Sequence, residues 1–361
     1  MSACDFKLPQ PPPDLFYKAG VISVGLGPQF LAAEDLDRDG ETDLVAVNTL
    51  DNSVSVLYGL GTGMFQHSAP IPVFAEPTMA VIGDLNRDGL PDLALSSRGE
   101  HCVTILLAKG GGSFQTPRKM TTGRAPVSLI LDDFNGDNIL DLAVILTFNK
   151  MEIFLGTGDG NFIKGGTYTT GSRSMSGVSG DFNNDGKTDL ALAETSSNSS
   201  SIRIFSGNGD GAFRQTSAFA DGLGSLVLVK KDMNGDGRDD LVSASTKGDN
   251  LYLFHANGDG TFGKGIPFSG SGGPIALVAE DFNGDGRTDV AVANSRSSSF
   301  SLVARNPDGS FKYPTRDYVT GGTPLAIAAG DFNGDGLPDL AVASADENRV
   351  EIFLRRQAPP R

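Results

Sequence analysis

Oxygen-bearing side chains recur at alternate positions in a nine-residue pattern that appears seven times. It reads DLDRDGETD from Asp35, DLNRDGLPD from Asp84, DFNGDNILD from Asp133 and DFNNDGKTD from Asp181. It continues as DMNGDGRDD from Asp232, DFNGDGRTD from Asp281 and DFNGDGLPD from Asp331. Positions 1, 3, 5 and 9 are the candidate cation ligands. In the first three loops these are Asp35, Asp37, Asp39 and Asp43; Asp84, Asn86, Asp88 and Asp92; and Asp133, Asn135, Asp137 and Asp141. In the other four they are Asp181, Asn183, Asp185 and Asp189; Asp232, Asn234, Asp236 and Asp240; Asp281, Asn283, Asp285 and Asp289; and Asp331, Asn333, Asp335 and Asp339.

Carboxylate and amide oxygens spaced this way, on a chain that curls back on itself, suit one hard cation. Calcium accepts six to eight oxygens, including a backbone carbonyl near position 7. Glycine at position 6, as at Gly336, allows the positive φ of a sharp turn. Zinc would want His or Cys, which the loops lack, and magnesium usually keeps several waters instead of a dedicated protein cage. An EF-hand shares positions 1 to 6 but needs Glu at position 12 and a following helix. Position 12 of the last loop is Val342, inside the strand-like run DLAVAS.

The plainer alternative is seven acidic β-turns, since Asp, Asn and Gly crowd into turns for backbone reasons. That alternative does not explain Asp at position 9 in every copy, and it leaves strong local repulsion. The four ligand positions hold 22 carboxylates in all, and seven divalent ions would bring the formal charge from −15 to −1. Up to seven calcium ions are therefore expected. Loop three departs most, with Asn138 where the others have Gly; Asn tolerates the left-handed conformation better than most residues. A metal bound by the folded chain alone stabilises it by mass action. Exposed loops of this charge suit millimolar extracellular calcium, so a secreted or cell-surface location is expected.

The elements that position these loops follow from their spacing. Successive starts lie 49, 49, 48, 51, 49 and 50 residues apart. About 25 residues after each of the first six loops comes a glycine turn ending in Phe: GLGTGMF, AKGGGSF, GTGDGNF, GNGDGAF, ANGDGTF and RNPDGSF. Between these landmarks lie short apolar, β-branched stretches bounded by turn residues, with no sustained helical period. Four short strands per repeat of this length make a propeller blade. The expected fold is all-β: a seven-bladed β-propeller of four-stranded blades spanning residues 15–355, with tails at 1–14 and 356–361. The seventh repeat stops after its third strand, near Leu354, and an orphan strand at 15–25 precedes the first. Pairing the two would complete the last blade, close the ring and remove an exposed sheet edge.

These residues resemble the FG-GAP or VCBS repeat family, whose blades build the integrin α-subunit head and a group of fungal and bacterial propeller lectins. The DxNxDGxxD loop is the specific part, over residues 26–355. The resemblance implies calcium held between the first and second strands of each blade, on one face of the disc. It also implies a non-catalytic role as an adhesion module, a lectin or an accessory domain of a polysaccharide-degrading enzyme.

A ligand would then meet the opposite face, built by the strand two–three loops and the connections between blades. These vary where the cation loops do not. The strand two–three loops, such as NTLDNS, SSRGEH, LTFNK, AETSSNSSS and ASTKGDN, offer amides, hydroxyls, charges and a few aromatics such as Phe148. Polar groups beside an aromatic platform suit a glycan. Arg98, Arg124, Arg173 and Arg296 are the rim anchors that an extracellular protein partner would use instead. Tyr168 and Tyr318 occupy equivalent places (YTTG and YVTG), as sugar contacts or as outer-strand packing.

Net charge −15 argues against nucleic acid. No stretch approaches the roughly 20 apolar residues of a membrane span. The opening MSACDFKLPQPPPDLF holds no apolar signal core, so a removed leader is expected if the protein is exported. Cys4 and Cys102 read as separate thiols, and the chain as a monomer. His67, His101 and His255 fall in different repeats with no nucleophilic triad signature, which argues against catalysis of the polysaccharide-lyase type.

Overall fold

The computed structural model describes residues 14–171, 173–195, 200–220, 225–245, 249–312 and 316–356. Cys4, nearly all of both expected tails, and parts of the loops AETSSNSSS and ASTKGDN lie outside the described residues. Seven antiparallel meanders stand around one axis. Blade three is representative: Pro126–Asp132, Asp141–Leu146, Lys150–Gly156 and Phe162–Thr169, each strand paired to the next. The inner strand of every blade contacts that of the next, and the seventh contacts the first. In blade one the outer strand is split, Phe65–His67 and Ile71–Pro72 both pairing with Ser53–Gly59.

Second strands such as Asp43–Asn48 (DLVAVN) and Asp339–Ser344 (DLAVAS) are buried throughout. A strand covered by neighbouring blades on both faces reads as a continuous apolar run, not an alternation. The core is accordingly divided into seven apolar clusters, one between each pair of adjacent blades.

The ring closes as the sequence suggests. Phe16–Ser23 pairs antiparallel with Arg349–Arg355, from Phe16 opposite Arg355 to Ser23 opposite Arg349, and forms the outer strand of blade seven. The glycine turns explain themselves at the same junctions. Each lies on the cation-loop face and leans on the preceding blade's acidic loop. Gly160 N–H donates to the Leu85 carbonyl and Gly211 N–H to that of Phe134, both at 3.0 Å. Gly63 makes the same bond to Phe332 across the closure, at 2.7 Å. Where loop position 2 is aromatic, the Phe ending the turn packs edge-on against it: Phe213 on Phe134 at 5.4 Å, Phe262 on Phe182 at 5.6 Å, Phe65 on Phe332 at 5.5 Å; Phe114, Phe162 and Phe311 share apolar clusters with Leu36, Leu85 and Met233 instead. Blade seven has no such turn. Phe16, from the N-terminal strand, occupies that place, edge-on to Phe282 at 6.0 Å.

Tyr168 and Tyr318 serve the same stitching. The Phe213 N–H donates to the Tyr168 hydroxyl at 2.9 Å, and the Leu15 N–H to that of Tyr318 at 3.1 Å. Their equivalence is thus one of outer-strand packing. Cys102 opens a strand of blade two and is buried; burial pushes its thiol above its ordinary range.

Candidate metal centre

Each acidic loop joins the inner strand of a blade to its second strand, and position 9 is the first residue of that second strand. The backbone curls because each ligand-position side chain accepts a nearby amide. In the last loop, Asp331 Oδ2 accepts Gly336 N–H at 2.7 Å, Asn333 Oδ1 accepts Asp335 N–H at 2.9 Å, and Asp335 Oδ1 accepts Leu337 N–H at 3.0 Å. Such bonds reverse the chain while leaving lone pairs on the same oxygens.

Two positions, not one, take the left-handed conformation. Position 6 does so as expected, and Asn138 fills that role in loop three at φ 61°. Position 4 does so as well, from Gly136 and Asn184 to Arg38 (φ 64°) and Arg87 (φ 60°). The signal was present as Gly or Asn at position 4 in five of the seven copies; the two arginines obscure it.

Position 9 has a structural duty of its own. Asp43 is fully buried, and its two oxygens accept the Leu36 and Gly59 amides at 2.8 and 2.7 Å. Asp92, Asp141, Asp189, Asp240 and Asp339 likewise bond the amide at position 2 and an amide at or just beyond the end of the third strand. Asp289 keeps the second of these, with Arg305, and receives the Asn283 side-chain amide at 2.7 Å on its other oxygen. The invariance of position 9 therefore has a cause apart from any cation: the carboxylate clamps the loop to the third strand. Burial pushes Asp43, Asp92, Asp141, Asp189, Asp289 and Asp339 up to about 6, against the pull of these amides.

The fit to a hard cation rests on positions 1, 3 and 5. In loop one an oxygen of each of Asp35, Asp37 and Asp39 lies within 4.8 Å of the others. Burial, and after it the neighbouring Asp39 and Asp35 charges, raise the Asp37 carboxyl above its ordinary range. The other loops have Asn at position 3, one carboxylate fewer; in loops two, three and five its Nδ2 donates to the position 5 carboxylate, Asp88, Asp137 or Asp236, at 2.9–3.0 Å. Positions 1, 3 and 5 would hold the ion beside the buried position 9, and the ion would neutralise the loop and pin it to the blade.

Loops five and six depart from the others. Arg238 and Arg287, at position 7, pair with the position 5 carboxylates Asp236 (2.7 Å) and Asp285. In loop five His255 Nδ1 also lies 2.9 Å from Asp240 Oδ2.

On the opposite face the polar hairpin groups are largely committed to the fold. Asn52, Asp249 and Asn348, each at positive φ, accept amides of the following interblade connection, Glu76, Gly273 and Gly27, at 2.7–2.8 Å. Of the arginines read as rim anchors, Arg98 pairs with Glu76 at 3.0 Å and Arg296 with Asp249. Arg173 begins the inner strand of blade four. Arg124 lies 5.5 Å above the ring of Phe148, which is 58% exposed. These two, with Gly123, Leu146, Lys150 and Glu152, line a cleft of about 280 Å³.

Comparison with known proteins bears on the fold and the repeat. Among solved structures, the chain is similar to that described as BBS1N in complex with ARL6DN, soaked with lead (TM-score 0.68, 13% identity, 96% of this chain and 98% of that one). A mercury-soaked structure of the same complex matches at TM-score 0.66, again with 13% identity over 96% and 98% of the two chains. Identity this low speaks for the propeller fold alone. No curated protein sequence matches. The FG-GAP-like repeat profile matches at 35–95, 84–144, 133–192, 181–227, 232–292 and 281–342, each match running from one acidic loop into the next blade. The chain belongs to the FG-GAP-like repeat family.

Proposed function

We propose that this propeller is a calcium-stabilised, non-catalytic binding module working outside the cell, with a glycan as its ligand on the face opposite the acidic loops. The observation that carries the calcium reading is the cluster of Asp35, Asp37 and Asp39, three carboxylates held within 4.8 Å on a loop shaped by its own amides. Family membership supports it, since FG-GAP repeats often bind calcium. Loops of this charge suit millimolar calcium, and that is the reason for an extracellular setting.

The glycan reading rests on the cleft at blade three. Phe148 offers an exposed aromatic ring, and Arg124 and Lys150 stand beside it as donors. A sugar presents hydroxyls at its rim and an apolar ring face, which is the complement of this arrangement. The test is a glycan array probed with the calcium-loaded protein beside a Phe148→Ala variant. Selective binding that the variant loses supports the reading; a signal indifferent to Phe148 removes blade three from it.

A protein partner is the second reading. Leu26 and Leu50 are both exposed and adjoin each other where blade seven meets blade one, the Leu50 N–H donating to the Leu26 carbonyl at 3.0 Å. Adjacent exposed leucines on the ligand face suit an apolar docking contact. The structurally similar BBS1N is described in complex with ARL6DN. A blank array from folded, calcium-loaded protein, followed by capture of a partner that Leu50→Asp abolishes, would favour this second reading.

A further inference from the structure

The connection between blades two and three carries one wall of the Phe148 cleft, and Ala125 is its pivot. Ala125 takes φ 55°, a left-handed conformation that alanine rarely adopts. Both of its polar groups are tied. The carbonyl accepts the Thr147 N–H at 3.0 Å and the Thr147 hydroxyl at 2.9 Å, and the N–H donates to His101 Nδ1 at 3.2 Å. Thr147 directly precedes Phe148 and Arg124 directly precedes Ala125, so the same bonds set the guanidinium against the ring.

The counterparts of Ala125 at three other blade junctions, Gly27, Glu76 and Gly273, also have positive φ, and their amides are capped by Asn348, Asn52 and Asp249. In blade two the cap is a histidine, itself at φ 55°. An amide or carboxylate oxygen accepts without a change of charge, but an imidazole nitrogen accepts only while it carries no proton. The Arg98 carbonyl lies 3.0 Å from the same Nδ1. In the neutral ring Nδ1 accepts from Ala125 and turns its lone pair toward that carbonyl. A proton on Nδ1 reverses both relations: the ring donates to Arg98, and the Ala125 N–H loses its acceptor.

The released N–H belongs to the peptide unit that joins Arg124 to Ala125. Rotation of this unit changes ψ of Arg124 and φ of Ala125 together. It would relieve the left-handed strain and turn Arg124 away from Phe148. The other charges around the hairpin are matched: Arg98 pairs with Glu76 on the preceding connection, and Lys119 on the outer strand of blade two pairs with Glu100. Arg124, on the following connection, has no carboxylate partner among the described residues and carries the same sign as an imidazolium.

We propose that His101 is a proton-operated latch: the neutral imidazole holds Arg124 at Phe148, and protonation, which histidine side chains undergo between about pH 5 and 8, frees it. As a control on ligand binding at this cleft the proposal rests on the glycan reading above; the latch itself is a property of the free protein.

The test is isotope-edited NMR of the full chain in saturating calcium, at pH 7.5 and 5.5. The Ala125 amide is expected to shift as the His101 ring titrates, and the Arg124 side chain to lose its contacts with the Phe148 ring. His101→Asn supplies the residue type that caps this place in blades one and seven, and should hold both signals fixed. His101→Ala should show the acid arrangement at both pH values. An array glycan whose binding depends on Phe148 should bind the parent about fivefold more weakly at pH 5.5, the equivalent of one hydrogen bond, and the His101→Asn chain equally at both. Any loss of calcium in acid is common to the two chains. Arg124 contacts that persist while the His101 ring titrates, or a His101→Asn chain that responds as the parent does, would overturn the latch. A moving amide with glycan binding indifferent to pH would overturn its control of the cleft. A moving amide with no glycan bound at either pH would end the glycan reading and leave the latch standing.

Discussion

The acidic-loop face and the hairpin face hold the same blades, yet they meet that task with different chemistry. On the loop face one solution recurs in six of the seven blades: a buried Asp at position 9 joins two backbone amides, as Asp189 joins those of Phe182 and Gly207. On the hairpin face the acceptor for the neighbouring connection is the side chain of Asn52 in blade one and of His101 in blade two, and further round it is Asp249 or Asn348. Buried carboxylates also reach that face from different strands, Glu152 and Glu351 from third strands and Glu194 from a second strand, each accepting a glycine amide. A buried site with two fixed donors admits one residue type; a half-exposed site with one donor, backed by water, admits several. Regularity on one face and variety on the other therefore follow from burial as well as from function.

This contrast can be broken experimentally, and calcium removal should break it most. An ion held at 100 times its dissociation constant stabilises the fold by about 2.7 kcal/mol per site, so chelation of several sites should lower the melting temperature sharply. Amide exchange should then quicken in the acidic loops before the hairpins. Unchanged melting, with calcium loss verified by elemental analysis, would mean that the loops are shaped without metal.

Position 9 offers the next largest effect. Asp189→Ala leaves the Phe182 and Gly207 amides buried and unpaired and should cost about 3 kcal/mol. That loss should appear in chelator as well as in calcium, because the clamp acts without the ion. On the opposite face Asn52→Ala exposes one amide to water and should cost about 1 kcal/mol. Equal losses in urea denaturation would refute the contrast between the faces.

The last test is that of pH. In metal-free protein, burial holds six position 9 carboxyls near 6, above their ordinary value of 3.8. A pKa raised by folding gives stability that is complete below the unfolded value and lost as pH rises through the folded one. Chelated protein should thus be more stable at pH 5 than at pH 7.5. With calcium present the order should reverse, since protons compete for the ligands. Denaturant midpoints at the two pH values, with and without chelator, read both signs.

Most of the architecture was legible in the sequence because it is written seven times: loop period, blade count, and the orphan strand that closes the ring. What escaped lies between blades, where sequence spacing is silent. Nothing in the order of residues marks Phe16 as the substitute for a seventh turn phenylalanine, since the match with Phe282 exists only once the ring has closed. The structural duty of position 9 was hidden for another reason. Invariance under ligand demand and invariance under backbone demand look alike in sequence, and only burial with two amides on Asp43 separates them.

The strand Phe16–Ser23 is made early and its partner Arg349–Arg355 late. At ribosomal speeds the wait between them is on the order of tens of seconds. Throughout it the first strand has no sheet to join, and the face of blade six around Phe282 has no cover. Blades one to six can condense in turn from local contacts, but the last event joins segments at the greatest sequence separation in the molecule, the kind of step that slows folding most. The closure that completes blade seven in the finished disc makes the nascent chain a split ring, exposed to strand exchange with a neighbouring copy until its two ends meet.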